Sequence, residues 1–404
     1  MARASRLRRF RFRGLRIVLD PTPGPITAVA LSVNAGARYD GRLPGLAHMA
    51  EHMLFQGTAK LDQLALNRRA AEVGGNHNAS TGYESIALTI EIFNDDFDDA
   101  LELIADQFYR SRVDPKRFRK ERRIVEDEIR GYRDDPVDYV NERGWGAFFG
   151  EPIGHPICGT IGSLRAMEPS DVVAFLRRGF VNANAALAIV GGVSEAKVRR
   201  ALARHVATDR VGRPLAGAGA RRGKTGTLPV RGGPHGQAYV ARYLEVDPAP
   251  ASLLALAVAL DLVGADPDSM LFQAIREQHG LGYDVAADLE WGSRWGTAIL
   301  SASAHPGQAR RLRRVIDGVV ERAAREGFAP ADIERARKKR RYRYASLAER
   351  RLDRALAHAD SALSGFPWID DAERIVSGLD PRAIHAAWRR AAAGRTLTAV
   401  LDGR

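Results

Sequence analysis

Gly45-Leu46-Ala47-His48-Met49-Ala50-Glu51-His52-Met53-Leu54-Phe55 is the stretch from which the rest of the chain can be read. On a helix, His48 and His52 lie one turn apart on the same face, so their imidazoles can converge on one metal ion. Glu51 is adjacent to His52 and three residues from His48, which brings a carboxylate beside whatever the imidazoles hold. Two nitrogen ligands with a neighbouring base are the parts of a metal-dependent hydrolytic site. In a chain with 10 histidines, a chance match to His-x-x-Glu-His is expected at roughly the per cent level. The bland alternative is a surface helix with two stray histidines, and the rest of the sequence decides between the two.

At 404 residues the chain fits two domains of about 200 residues each. Its 45% hydrophobic and 27% charged content is that of a soluble globular protein. There is no apolar run of about 18 residues and no secretory signal, so no membrane association is expected, and the cytoplasm is the expected compartment. The single cysteine, Cys158, excludes an intramolecular disulfide and reads as a small buried hydrophobe. A net charge of +12 is compatible with nucleic acid, an acidic membrane surface, an acidic substrate or an arginine-rich proteome. The main basic run, Arg335 to Arg343, falls in a helical stretch expected over residues 331–362. With no nucleic-acid motif beside it, it reads as a solvated or chamber-lining helix face, and no nucleic-acid partner is expected.

Taken in order, Leu7, Phe10 and Phe12 precede Gly14, and Leu15, Ile17 and Leu19 follow it. That spacing predicts two short strands about a glycine turn, the start of the fold rather than a cleaved leader. Residues 27–34 read as a strand, 61–73 as a helix stopped by Gly74-Gly75, and Ile86, Leu88, Ile90 and Ile92 as a strand beside the His48 helix. Helices are expected over 95–110 and 115–131. In the latter, Glu121 and Glu128 are seven residues apart, two turns along one face. Two imidazoles alone would hold an ion weakly, so a third ligand is needed. Glu128 is the candidate, 76 residues beyond His52, and Glu121 could support a ligand from behind. Residues 208–236, rich in Gly, Pro, Arg and Lys, read as a linker between an N-terminal domain (1–207) and a C-terminal one (237–404). After it the order of elements repeats in outline, which suggests an internal duplication. The second half has no His-x-x-Glu-His and therefore no second metal site.

These segments carry a specific resemblance. His48 to His52, Glu121-Arg122-Arg123-Ile124-Val125-Glu126-Asp127-Glu128, Gly75-x-x-Asn78-Ala79-x-Thr81, His155-Pro156-Ile157-Cys158-Gly159-Thr160 and Asn182-Ala183-Asn184 with the strand that follows are similar to the pitrilysin/insulinase family of zinc metallopeptidases. Within it the chain looks like the two-domain subfamily that includes the mitochondrial processing peptidase and small bacterial relatives. The resemblance implies an α+β fold of two homologous domains, each a mostly antiparallel mixed sheet flanked by helices, forming a half-clamshell. It implies one zinc ion per chain held by His48, His52 and Glu128, with Glu51 as catalytic base. Asn78, Ala79 and Thr81 would form the edge that binds an extended peptide substrate. Arg276 and Tyr283, structural on a bare reading of Arg276-Glu277-Gln278-His279-Gly280-Leu281-Gly282-Tyr283, match the pair that completes the site from a later domain. The implied activity is endopeptidase hydrolysis of unfolded peptides inside a dimeric chamber. Both motifs lie in one chain, so a homodimer is expected, with a heterodimer with a paralogue as the alternative; cis or trans action of the Arg/Tyr pair stays open. Two departures stand out: Asp40 replaces a glutamate before the metal helix, and the glycine-rich stretch near Ser269-Met270 is reduced to Gly264. The second puts presequence recognition in doubt. The rival readings are a non-catalytic scaffold subunit of the same fold and a basic nucleic-acid-binding protein with an incidental motif.

Overall fold

The computed structural model describes residues 7–217, 219–232, 236–264, 266–282 and 284–403. Two sheets organise it, each the centre of a compact unit. The first sheet runs β1-β2-β6-β3-β5-β4, where β1 is Arg8–Phe12, β2 Leu15–Pro21, β3 Ile26–Val33, β4 Asn76–Thr81, β5 Ile86–Phe93 and β6 Ala185–Gly191. β2 and β6 are parallel and the other pairings antiparallel. The hairpin from β1 to β2 turns on Arg13 and Gly14, both with positive φ (49° and 87°), the two-residue turn whose twist suits flanking strands. The second sheet runs β7-β11-β8-β10-β9, with β7 at Gly226–Pro229, β8 Ala238–Glu245, β9 Val285–Gly292, β10 Trp295–Ala304 and β11 Thr396–Leu401. β7 and β11 pair in parallel, the rest antiparallel. Two mostly antiparallel mixed sheets flanked by helices are the α+β architecture the sequence implies.

Helix α1 (Leu46–Leu54) buries Leu46, Ala47, Met49, Ala50, Met53 and Leu54 against the first sheet. His48, Glu51 and His52, at i, i+3 and i+4, are left on the opposite stripe. Its N-terminus is held by Asp40, whose carboxylate accepts from the amides of Gly45 and Ala47 at 2.7 Å each. Gly45 has φ 92°, and a Cβ there would lie 2.7 Å from the carbonyl oxygen of Cys158, so only glycine fits. Helix α2 (Pro115–Asp134) buries Phe118, Glu121, Val125 and Ile129, so Glu121 occupies a position in the helix's apolar stripe.

The units are not continuous in sequence. Residues 130–155, with helix α3 (Pro136–Phe148), pack with the second sheet, and residues 346–370, with helix α4 (Arg351–Ser364), pack with the first. α4 lies across β3 and β6, where Val18, Ala28, Ala30, Ala188 and Val190 meet its Ala355 and Ala359. Small side chains on both partners let helix and sheet approach closely. The opposite face of the same strands carries Ile17, Leu19, Val29, Leu31, Leu187 and Ile189 and packs on the α1 side. On the second sheet, α3 crosses β8 and β11. Gly144 is required there, because a Cβ would sit 2.5 Å from the ring of Tyr243.

Two expectations need correction. Residues 208–236 are not all linker: β7 lies within them and pairs with β11 over Leu397 to Val400, a four-residue strand too short to show a period. The helical stretch over 331–362 is two helices, Pro330–Glu349 and α4, because Arg350 is extended (φ −88°, ψ 109°). The basic run on the first of these is largely neutralised. Arg340 meets Asp261 at 2.6 Å, Arg343 also reaches Asp261, Arg335 meets Asp268 at 2.9 Å, and Lys339 binds Asp268. No helix among the described residues is long and apolar enough to cross a membrane.

α4 is fastened to β2 by one buried carboxylate. Asp20 Oδ2 accepts from Arg354 Nε at 2.5 Å and from His358 Nε2 at 2.9 Å. Burial tends to raise the Asp20 pKa, but the His358 hydrogen bond and the Arg354 charge outweigh it and hold the carboxyl below its ordinary value. Asp20→Asn leaves the two donors over a small-residue layer without their anion and should cost about 3 kcal/mol at neutral pH. Because the folded-state pKa is depressed, this contribution is complete above the ordinary aspartate value and disappears as pH falls through the folded value. Denaturant unfolding of wild type and Asp20→Asn should therefore differ at pH 7, and the difference should shrink only as pH falls below the ordinary aspartate range.

Candidate metal centre and active site

α1 and α2 bring three ligand atoms together. Those of His48, His52 and Glu128 all lie within 4.8 Å of one another. Glu128 Oε2 is 3.8 Å from His48 Nε2 and 3.7 Å from His52 Nε2, and the two ring centroids are 4.6 Å apart. A tetrahedral zinc ion with N and O ligands at about 2.1 Å spaces those ligands by roughly 3.4 Å. The observed triangle is thus of the right size with slight closure.

The protonation of the two rings agrees with that use. His52 Nδ1 lies 3.0 Å from Glu121 Oε2, so the proton on Nδ1 is donated to the buried carboxylate and Nε2 is left with its lone pair toward Glu128. Burial lowers the His52 pKa, yet the Glu121 hydrogen bond and the charges of Glu128 and Glu51 reverse the sign and raise it. The carboxylates around His52 thus favour positive charge at this position. His48 behaves oppositely: burial, then the neighbouring His52, holds it down to about 4, so its imidazole is neutral and free to ligate. Its Nδ1 is buried with no hydrogen-bond partner among the described residues. Two imidazole nitrogens and one carboxylate oxygen make a donor set that fits zinc and leaves a fourth position open.

Glu51 sits between this cluster and the edge of the sheet. Thr81 Oγ1 donates to Glu51 Oε2 at 2.6 Å. Burial raises the Glu51 pKa, with Glu128 adding to it and the Thr81 hydrogen bond and His52 opposing it. A carboxylate whose proton affinity is moved toward neutrality is suited to taking and returning a proton. β4, which carries Asn78, Ala79 and Thr81, is an outer strand of the first sheet and, among the described residues, pairs with β5 alone. Asn78 is exposed there. Ala79 is 9% exposed and belongs to the core, so what it can offer a peptide is backbone, while the hydroxyl of Thr81 is engaged by Glu51.

Three supports went unseen in the sequence. Gln107 donates from Nε2 to the carbonyl of Leu54 at the end of α1 (3.1 Å), and its Oε1 accepts from His77 Nε2 at 2.9 Å. One side chain thereby ties the end of the metal helix to β4. The second is the role of Asp40 as α1's amide acceptor, and the third the hydroxyl of Thr81 on Glu51. Gln107 gives no sequence signal, since it is one polar residue on an amphipathic helix.

Arg276 lies in the second unit, on a π-helical turn over Gln273–Gln278. It is exposed, 3.5 Å from Glu277 and 5.3 Å above the ring of Phe272. Tyr283 lies outside the described residues.

Paired imidazoles with a glutamate from a second helix, on a mixed sheet flanked by helices, define a site of the metallopeptidase type. Comparison with known proteins leads to the same place. Residues 16–160 match the model for insulinase, peptidase family M16, and residues 166–340 match the M16 inactive domain. The chain belongs to the insulinase family of peptidases. It is 28% identical over 347 residues to an uncharacterized zinc protease of Mycobacterium leprae, covering 80% of this chain and 75% of the relative. It is 24% identical over 332 residues to the uncharacterized zinc protease YmxG of Bacillus subtilis, with 80% of each covered. Among solved structures, a protease from Helicobacter pylori superposes with a TM-score of 0.91 at 19% identity, covering 98% of this chain and 99% of that one. The M16 inactive domain protein from Pseudomonas fluorescens gives 0.89 at 16% identity, with 98% of each chain covered.

Removing the buried partner of His52 tests the ligand geometry directly. Glu121→Gln keeps the shape but removes the charge that orients the ring, and zinc affinity in a chelator-competition titration should fall by about 10–100-fold with the melting transition retained.

Proposed function

We propose that the protein is a zinc-dependent endopeptidase that hydrolyses unfolded peptides or peptide segments. The observation that carries this reading is the convergence of His48, His52 and Glu128 beside a Glu51 carboxylate already hydrogen-bonded by Thr81. The names of the curated relatives, zinc proteases, support it. Zinc, when bound by those three side chains, supplies a Lewis acid that polarises the scissile carbonyl and makes water more acidic. The chain's own residues do the rest. Glu51 accepts the proton of the attacking water and returns it to the departing amine. Thr81 keeps the carboxylate aimed while leaving its second oxygen for this traffic. The outer edge of β4 offers backbone amides and carbonyls to an extended peptide, which favours unfolded segments over folded ones and reads sequence weakly.

The assembly belongs to the same proposal. A homodimer encloses the substrate, and Arg276 and Tyr283 serve the metal site of the partner, stabilising the oxyanion that forms on the scissile carbonyl. The second half of the sequence has no His-x-x-Glu-His, which favours such a division of labour.

Cleavage of a mixed unfolded-peptide library tests the chemistry. Turnover should fall at least about 100-fold in Glu51→Gln, with zinc content by elemental analysis unchanged. His48→Ala and His52→Ala should lose the metal itself. Cleavage that survives both chelation and Glu51→Gln would sink the mechanism. For the assembly, Glu51→Gln and Arg276→Ala chains, each inactive alone, should regain activity when mixed. No regain, with dimers present by light scattering, would place the arginine in cis.

A further inference from the structure

β4 carries a second polar side chain on the face that bears Thr81. Alternate residues of a strand share a face, so His77 and Ala79 lie on the α1 side with Thr81. The ring of His77 packs 5.2 Å from that of Phe55, one residue past the end of α1. Burial pushes the His77 pKa below its ordinary value, against the opposing Gln107 hydrogen bond, so the imidazole is neutral at neutral pH. A neutral ring has one N–H and one lone pair, and which nitrogen carries which decides what it can bind.

The end of α1 decides it. The carbonyl of Leu54 can only accept, so the Gln107 atom that meets it at 3.1 Å must be the amide nitrogen Nε2. Gln107 is fully buried on the helix Phe97–Arg110, and its Oε1 is thereby turned to His77 Nε2 at 2.9 Å. An amide oxygen also only accepts, so His77 Nε2 holds the proton and Nδ1 the lone pair. Unlike the Nδ1 of His48, this nitrogen is not sealed from solvent, and it has no hydrogen-bond partner among the described residues. A fixed acceptor is therefore displayed on β4, four residues from Thr81.

We propose that His77 reads the peptide bound along β4, its Nδ1 accepting a hydrogen bond from a side-chain hydroxyl, amide or cationic group, with Gln107 as the positioning residue that fixes the tautomer. This rests on the proposed binding of an extended peptide at that edge. A strand added there puts one side chain directly opposite His77, with Cβ atoms about 4.5–5.5 Å apart, within reach of a threonine, asparagine or lysine head. The residue opposite Thr81 lies nearest Glu51, so the residue read by His77 is four positions further along the peptide. The contact is remote from the reacting bond and is made in ground state and transition state alike, so it acts on KM rather than kcat. The substrate class is thereby narrowed to unfolded segments with a donor side chain about four residues from the cleaved bond.

The test compares a host peptide of valine, alanine and glutamate, which has no side-chain donor, with the same peptide carrying threonine in place of a central valine. Binding is measured by fluorescence anisotropy on the zinc-loaded Glu51→Gln chain, which holds peptide without turnover. The threonine peptide should bind about three- to tenfold tighter. Adding His77→Phe and Gln107→Met together, which removes both halves of the buried hydrogen bond, should make the two peptides bind alike. Gln107→Met alone should shrink the difference, and the imidazole nitrogen NMR resonances of His77 should pass from an unprotonated Nδ1 to a mixture of tautomers, a change that a purely packing role would not produce. With the wild-type chain, moving the threonine along the peptide should move the cut with it. No difference between the two peptides on the Glu51→Gln chain, a preference that survives the paired substitution, or a protonated Nδ1 at His77 would each overturn the proposal. Tighter threonine binding without any cleavage by the wild-type chain would support the His77 contact and remove the peptidase reading instead, so the two fail separately.

Discussion

The hydrogen bond between His52 Nδ1 and Glu121 is the contact on which the site depends. It crosses from α1 to α2, so it fixes the rotation of one imidazole and ties together the helices that carry the candidate ligands. Glu121 can do this because it stands in the buried stripe of α2 with Phe118, Val125 and Ile129, where its carboxylate has no other outlet. Glu128, two turns further on, is partly exposed and lies 3.7 Å from His52 Nε2. The same helix thus provides one carboxylate that orients and one that can ligate, separated by their surroundings. α1 in turn is held at its start by Asp40 and at its end by Gln107, so neither imidazole is carried on a loose element.

Much of this half of the molecule was legible in the sequence, because each piece carries a local mark. The spacing of His48 and His52 fixes a shared face, the seven-residue step from Glu121 to Glu128 fixes another, and Gly14 marks the first hairpin. The contacts that knit the pieces together were not legible. Thr81 was read as part of a peptide-binding edge, and its bond to Glu51 depends on how closely β4 lies to α1, which no spacing encodes. The exchange of α3 and α4 was hidden for a different reason. Ala28, Ala30 and Ala188 would accept any small-faced helix, and Arg350, where the helix breaks, is neither Gly nor Pro. Only the packed structure says which helix covers which face.

Charge shows the same gap between composition and placement. The excess of +12 belongs to the whole chain, and its densest run, Arg335 to Arg343, is drawn onto Asp261, Asp266 and Asp268. Arg311, Arg314 and Arg322, on Ala309–Glu326, have no ion pair among the described residues. A patch is defined by what faces it, and carboxylates far away in sequence decide whether a basic segment is spent or available.

The route of α4 has a consequence for how the protein is made. The alanine-rich face of β2, β3 and β6 is complete once residue 191 has been synthesised, but the helix that dries it ends at Ser364. At ordinary elongation rates the interval is on the order of ten seconds. Throughout it the nascent chain displays a half-wet sheet of small side chains, too weakly apolar to clump strongly yet unable to close. The use of alanine and valine rather than leucine on that face suits a surface that must wait on the ribosome for its cover.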